Sequence, residues 1–512
     1  MPALLLRSVR LVPVAATWSQ ASPDRVVDVR LEGDRVREVA PDLRAQRGEV
    51  VLAGEGRWLA PGLWDAHVHA TMWALARRRI DLAGASGPEE TLSRVRQALS
   101  GPAAPKDPAT VVIGYGFRSG TWPRLGTVAE LDAVAGDRPV VLASGDGHNG
   151  WVSSAALRLL GRGGPDAPTG PLTEDEWYAA YAQLSALATR SEDPEAAVRD
   201  AVAAAAARGV VGIVDFEFDG AWRSWRQRYA DGLRALRVRA ATYEADLTEV
   251  ATAGLRTGDP LVPGQDLVTM GPLKVISDGS LNTLTAWCAQ PYAGGESLEF
   301  PRGRANTDIE VLAPLLSRAA GQGLSAAVHA IGDEAVANAL DAFEVTGQRG
   351  SIEHAQLVAL GDLPRMARLG LTASVQPPHL LDDRDVTQRW WPDRTERTFA
   401  FAAMSAAGVR LALGSDAPVS TLDPWSAMAA AVHRTADERP PWHPEQSLTP
   451  AQALAASVDG AGTVAPGSRA DLVLLDADPY AAGSEPASAA AHLRAMSVHA
   501  TVVGGAVTYQ TG

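Results

Sequence analysis

Cysteine is all but missing, since Cys288 is the only one in 512 residues. No intramolecular disulfide can form, and a cysteine-based metal cage is excluded. Lysine is nearly as scarce. Of 46 basic residues only Lys106 and Lys274 are lysines, and the rest are arginines. A lysine kept against that bias points to a need for an amine that can lose its proton, which a guanidinium cannot supply. No basic patch stands out and the formal net charge is −14. Nucleic acid is therefore not expected as a partner, and the acidic balance mainly favours solubility. No uninterrupted apolar run reaches membrane-spanning length, so no membrane partner is expected either. Residues 1–12 lack a basic n-region, and Arg7 and Arg10 interrupt their apolar residues. No signal peptide is expected there, and a cytoplasmic location is the simplest reading.

What is present is ordinary for a globular chain: 46% hydrophobic and 21% charged residues, which argues against disorder over most of the length. The length suggests two to four units, or fewer if one is a barrel, which can absorb about 250 residues or more. Both ends read as short strands. Residues 4–12, 26–31, 36–39 and 50–52 have strand composition, with Gly33-Asp34 as a hairpin turn. Residues 471–475, 496–503 and 506–509 repeat the texture around Gly504-Gly505. The expectation is a small composite β-sandwich domain built from residues 1–60 and 460–512.

The middle, residues 61–459, alternates. Apolar segments at 62–66, 210–215, 238–243, 273–277, 325–329, 351–354, 372–376 and 410–414 are each followed by a helical stretch, clearest at 195–207, 309–321, 334–344 and 398–407. Asp193, Pro194 and Gly209 give the first of these helices its cap, first turn and stop. Eight β/α repeats predict an α/β fold, a TIM-like (β/α)8 barrel with its site at the C-terminal ends of the strands. One connection is far too long for a loop. Residues 70–208 carry strands and helices of their own and read as an inserted α/β subdomain after strand 1, over the barrel mouth.

Chemistry-bearing residues fall at the strand ends. Asp65-Ala66-His67-Val68-His69 closes the first barrel strand, and residues i and i+2 of a strand point to one side. His67 and His69 thus offer two imidazoles to a divalent metal, although an HxH triplet alone is a weak signal. His329 ends the fifth strand, His354 the sixth, and Asp416 follows the eighth, while Lys274 lies on the fourth. Any one of these could be an ordinary packed residue. Six at barrel strand ends are not easily explained that way.

The set resembles the amidohydrolase superfamily, within it the amidohydrolase-3 branch that includes N-substituted formamide deformylase-like proteins. The matching pieces are Pro61-Gly62-Leu63-Trp64-Asp65-Ala66-His67-Val68-His69, Lys274 with Ser277-Asp278-Gly279-Ser280-Leu281, His329-Ala330-Ile331-Gly332-Asp333, Glu353-His354-Ala355-Gln356, Gly414-Ser415-Asp416-Ala417-Pro418 and Ala465-Pro466-Gly467-Ser468-Arg469-Ala470-Asp471-Leu472-Val473. They span nearly the whole chain in family order. The link at residues 457–464 is shorter than the family's.

The resemblance implies one or two divalent ions, zinc foremost. His67 and His69 would hold the first, His329 and His354 the second, with Asp416 as a ligand that also handles protons. Lys274 would be carboxylated on its amine and bridge the pair, which requires the deprotonated amine that burial favours. A metal-bound water with its pKa lowered toward about 7 would supply the attacking hydroxide. Asp416 would take up its proton and pass it to the leaving nitrogen. Around this centre His148, His379 and Trp151 are expected to meet the substrate, and Asp278 to orient a metal ligand or the substrate. The expected activity is hydrolysis of a C–N bond in a small amide, N-formyl or cyclic amide compound. Ester hydrolysis, isomerisation or a catalytically silent binder on the same barrel are the alternatives. Homodimers are common for such chains by analogy.

Overall fold

The computed structural model describes residues 3–14, 25–101, 104–117, 119, 122–144, 149–165, 167–173, 176–177, 179–180, 183–184, 193–218 and 220–511. The chain divides into two compact units, one of residues 1–72 with 202–512 and one of residues 73–201.

The first unit contains the barrel. Its strands are Leu63–Val68, Val210–Asp215, Arg237–Thr242, Gln265–Ile276, Ala326–Ala330, Gly350–His354, Thr372–Val375 and Arg410–Leu413, paired in parallel in that order. The eight strands fall where the apolar segments predict. The fourth is longer than expected because its first half also pairs with Pro260–Val262 in a hairpin. The helix Phe401–Ala406 starts later than the predicted residue 398. Thr398 is instead bridged to Leu357, and Phe399 takes a left-handed φ of 50°.

The last and first strands meet only at their C-terminal ends. There Asp416 N donates to His67 O at 2.8 Å and His69 N to Ala417 O at 2.9 Å. The approach needs Gly414, since a Cβ there would lie 2.8 Å from the backbone nitrogen of His67. Lower down, the seam is bridged where the helix Pro450–Ala455 runs into the shortened link. Trp64 N donates to Ser457 O at 2.8 Å, and Leu413 N donates to Ala456 O at 2.9 Å. The link thereby satisfies backbone groups that an open seam would leave buried and unpaired.

The terminal strands are hydrogen-bonded into one eight-stranded sheet built from both ends of the chain, with a common core that includes Leu6, Val29, Leu59, Leu474 and Val502. Leu4–Leu11 accepts three neighbours because it is irregular between Leu6 and Val9, where Ser8 has a φ of 59°. Val26–Glu32 runs along one edge, and Val50–Ala53 and then Trp58–Pro61 follow each other along the other. The two ends of the chain join where Trp58–Pro61 pairs antiparallel with Leu472–Leu475. A buried ion pair at 2.5 Å, Arg237 Nε to Asp471, ties this sheet to the third barrel strand.

The second unit has its own five-stranded sheet, Ile80–Asp81, Val112–Phe117, Val140–Ser144, Asn149–Val152 and Leu172–Thr173. Among the described residues no helix is long and apolar enough to cross a membrane.

Candidate metal centre

The strand ends deliver seven of the expected residues to one cavity of about 390 Å³ in the first unit. His67, His69, Lys274, His329, His354, His379 and Asp416 all line it. A larger cavity of about 750 Å³, within the second unit, is lined by Arg77, Arg78 and Arg79 among others and holds none of these groups.

His67 sits at the centre. Its Nδ1 donates to Glu353 Oε2 at 2.8 Å, which leaves Nε2 as the lone-pair nitrogen. That Nε2 lies 3.3 Å from Lys274 Nζ and 3.4 Å from Asp416 Oδ1. The i, i+2 expectation holds for the pair: the His67 and His69 rings are 5.7 Å apart, and His69 Nε2 is 3.6 Å from the same Asp416 oxygen. His354 lies on the other side, its ring 4.9 Å from that of His67 and 4.5 Å from that of His329. His329 donates from Nε2 to Gly279 O at 3.2 Å, so its Nδ1 is the free nitrogen. His379 stacks on His354 at 6.1 Å and brings Nε2 to 3.8 Å from Asp416 Oδ2 without a hydrogen bond.

Two of these side chains are aimed by unusual backbone. His354 and Asp416 both have left-handed φ values, 69° and 56°, a conformation costly for residues with a Cβ and concentrated at functional sites. At His354 the turn has a visible effect. Strand alternation would send Glu353 and His354 to opposite faces, yet both reach His67.

Electrostatics follow from burial. Burial first, then the Lys274 charge, holds His69 down at about 4 and His329 at about 3. Burial alone holds His379 at about 4. His67 and His354 are pushed well below the usual imidazole range, again chiefly by burial. All five are neutral near pH 7, the form that ligates metals. Burial brings Lys274 down to about 8, against the pull of Glu353 and Asp416. Its Nζ lies 4.1 Å from the centre of the Phe216 ring. Asp416 is raised to about 7 by burial, opposed by Lys274.

The donor set fits a divalent ion. Single ligand atoms of His67, His354 and Asp416 all lie within 4.8 Å of one another, and the surrounding imidazoles are neutral. Metals of the zinc kind take nitrogen and carboxylate oxygen in this combination.

Three expectations fare differently. Asp278 does not line the cavity. It is fully buried, accepts hydrogen bonds from the backbone of Trp287, Ile331 and Gly332 at 2.9–3.0 Å, and lies 3.4 Å from His329 Nε2. It therefore holds His329 and the loop after it rather than a substrate. Trp151 is not a cavity wall. It is fully buried in the core of the second unit with Phe117, Leu131 and Leu142, its indole donating to Thr127 O at 2.8 Å. A large apolar ring gains more from a packed core than from an open cleft. His148 lies outside the described residues.

Other contributors carried no signal of their own. Glu353 lies in the Glu353-His354-Ala355-Gln356 piece, where the sequence gives it no role of its own. It is 1% exposed, accepts from the Ser351 hydroxyl, and fixes the His67 tautomer. Asp65 accepts from His67 N at 3.1 Å and Ser415 N at 2.9 Å, locking strands one and eight together beside the site. Phe218 and Tyr243 also line the cavity, and nothing in their sequence neighbourhood separates them from ordinary core aromatics.

A family model described as the amidohydrolase family matches residues 51–509. Among curated proteins, the chain is 29% identical to Protein LONG AFTER FAR-RED 3 of Arabidopsis thaliana, covering 89% of this chain and 83% of that one. It is 26% identical to an N-substituted formamide deformylase of Arthrobacter pascens, covering 98% and 97%. Among solved structures, an uncharacterized metal-dependent hydrolase from Pyrococcus furiosus superposes with a TM-score of 0.73 at 23% identity, over 93% of this chain and 99% of that one. That likeness is one of fold.

Proposed function

The chain belongs to the amidohydrolase family, and from that premise we propose that it is a metal-dependent hydrolase of a carbon–nitrogen bond in a small amide. Family membership supports hydrolysis. The observation that carries the finer reading is the convergence of five neutral imidazoles, Lys274 and the Asp416 carboxylate on a single cavity at the strand ends. The name of the formamide deformylase relative supports the bond class.

His67, His69, His329, His354 and Asp416 are the residues that would hold the ions, zinc in our reading, with Lys274 bridging as its carbamate. A divalent ion bound there supplies Lewis acidity and lowers the pKa of water. The remaining roles belong to the chain. Lys274, brought down to about 8 chiefly by burial, presents the free amine that carboxylation requires. Glu353 keeps His67 in the tautomer whose Nε2 faces the cavity. Asp416, whose carboxylate lies 3.4 Å from His67 and 3.6 Å from His69 at the cavity floor, is placed to take a proton from water and give it to the departing nitrogen. His379 Nε2, without a hydrogen bond, is placed to donate to the substrate's carbonyl oxygen.

The test is hydrolysis of matched amide and ester substrates, read as amine and alcohol release respectively, before and after dialysis against a chelator. The expected result is amide turnover that is lost on chelation and restored by added zinc. Turnover indifferent to chelation, or confined to esters, would overturn the reading.

A further inference from the structure

The second unit carries the cavity that the metal centre leaves unused. Its volume of about 750 Å³ is ample for a small organic molecule. Its walls are of two kinds. One is apolar. Ile80, Val111, Val112 and Ile113, all buried, line it together with Leu99. The other is cationic. Arg77, Arg78, Arg79 and Lys106 line it, beside the carboxylates of Asp107, Asp193 and Asp200. Three successive arginines and one of only two lysines thus meet at one cavity, in a chain whose net charge is −14.

The carboxylates are already engaged. Asp200 pairs with Arg78 at 3.2 Å. Asp193 Oδ1 accepts from Ala196 N at 2.9 Å, and Asp107 Oδ1 accepts from Ala109 N at 2.9 Å. Among the described residues no carboxylate pairs with Arg77, Arg79 or Lys106. Arg77 lies over the Trp73 ring at 5.6 Å. Arg79 Nε is shielded from water and has no acceptor, a loss that an oxygen brought by a ligand would make good. Lys106 is held in position from both sides. Arg138 Nη1 donates to Pro105 O and to Asp107 O, at 3.0 Å each.

Charge sets the ligand's valence. Four cations against three carboxylates leave the lining at +1. A monoanion balances that charge, whereas a dianion would leave one of its own charges uncompensated. Guanidinium groups receive carboxylates through paired N–H donors, and the apolar wall is matched by hydrocarbon.

We propose that this cavity binds a small monocarboxylate with an apolar body. The inference stands independently of the hydrolase reading, because none of the residues it uses belongs to the metal centre.

The test is titration calorimetry with octanoate on the full chain, freed of ions by chelator so that no metal offers a second carboxylate site. Octanoate should bind with a Kd below roughly 0.1 mM. Acetate and octan-1-ol should each bind at least about tenfold more weakly, since one lacks the apolar body and the other the charge. Arg79→Gln and Lys106→Gln should each weaken octanoate roughly tenfold, about what one charge-assisted hydrogen bond supplies. Lys106 is exposed, so its variant stays folded and keeps the test open even where Arg79→Gln does not fold. A His67→Ala and His354→Ala double variant should bind octanoate as the native chain does. No binding up to about 2 mM octanoate, native affinity in either charge variant, or loss of binding in the histidine double variant overturns the proposal. Octan-1-ol binding as tightly as octanoate, or octyl phosphate binding more than about tenfold tighter, overturns it as well.

Discussion

Replacing Asp416 with asparagine should lower kcat by roughly 10²–10⁴-fold, the range for losing a positioned acid–base group, while the chain stays folded. Asparagine is the informative substitution because Asp416 has a φ of 56°, and asparagine accepts the left-handed region far better than alanine. The side chain keeps its size and one oxygen. What it loses is the charge and the ability to take up and release a proton. Initial rates of amine release give kcat, and near-ultraviolet circular dichroism checks the packing. A variant with native structure and native kcat would remove Asp416 from the chemistry.

Lys274→Met should separate function from stability. The amine is 3% exposed, lies over Phe216, and is held at about 8 by burial. Methionine is of similar length and carries no charge to desolvate, so with both chains stripped of ions by chelator the variant should unfold at the native urea midpoint or a higher one. Activity should nevertheless fall by roughly a thousandfold, the several kcal/mol attributed to Lewis-acid assistance, together with a drop in bound ions per chain. Retained activity with native ion content would make Lys274 a packing residue, and a lowered urea midpoint would show that the amine is needed for the fold.

Much of this arrangement is legible in the sequence for definite reasons. Barrel strands are buried on both faces, so a segment such as 210–215 appears as a short apolar run between helices. Their C-terminal ends are the one place where a barrel gathers residues distant in sequence. That is why His67, Lys274, His329, His354 and Asp416 point to one site before any coordinates exist. The supporting contacts are less legible. Glu353 reaches His67 only because the backbone turns into the left-handed region at His354, which strand alternation does not foresee. Asp278, following the metal lysine, reads equally as a substrate group or as one that orients a ligand; three backbone amides and the nearby His329 decide for the second. Trp151 carries no pattern that distinguishes a core ring from a cleft ring, and packing decides for the core. The bridging role of Ala456 and Ser457 depends on a seam between strands one and eight, and seams leave no mark in local sequence.

Whether the strand ends hold a metal centre is read most simply from the number of divalent ions per chain. The protein is purified without chelator and its ions are counted by plasma mass spectrometry, beside a His67→Ala and His354→Ala double variant. One or two ions per native chain are expected, with most of them lost in the variant and both proteins folded by circular dichroism. No ion in the native protein, even after equilibration with excess zinc, or equal occupancy in the variant, would contradict a metal centre at these residues.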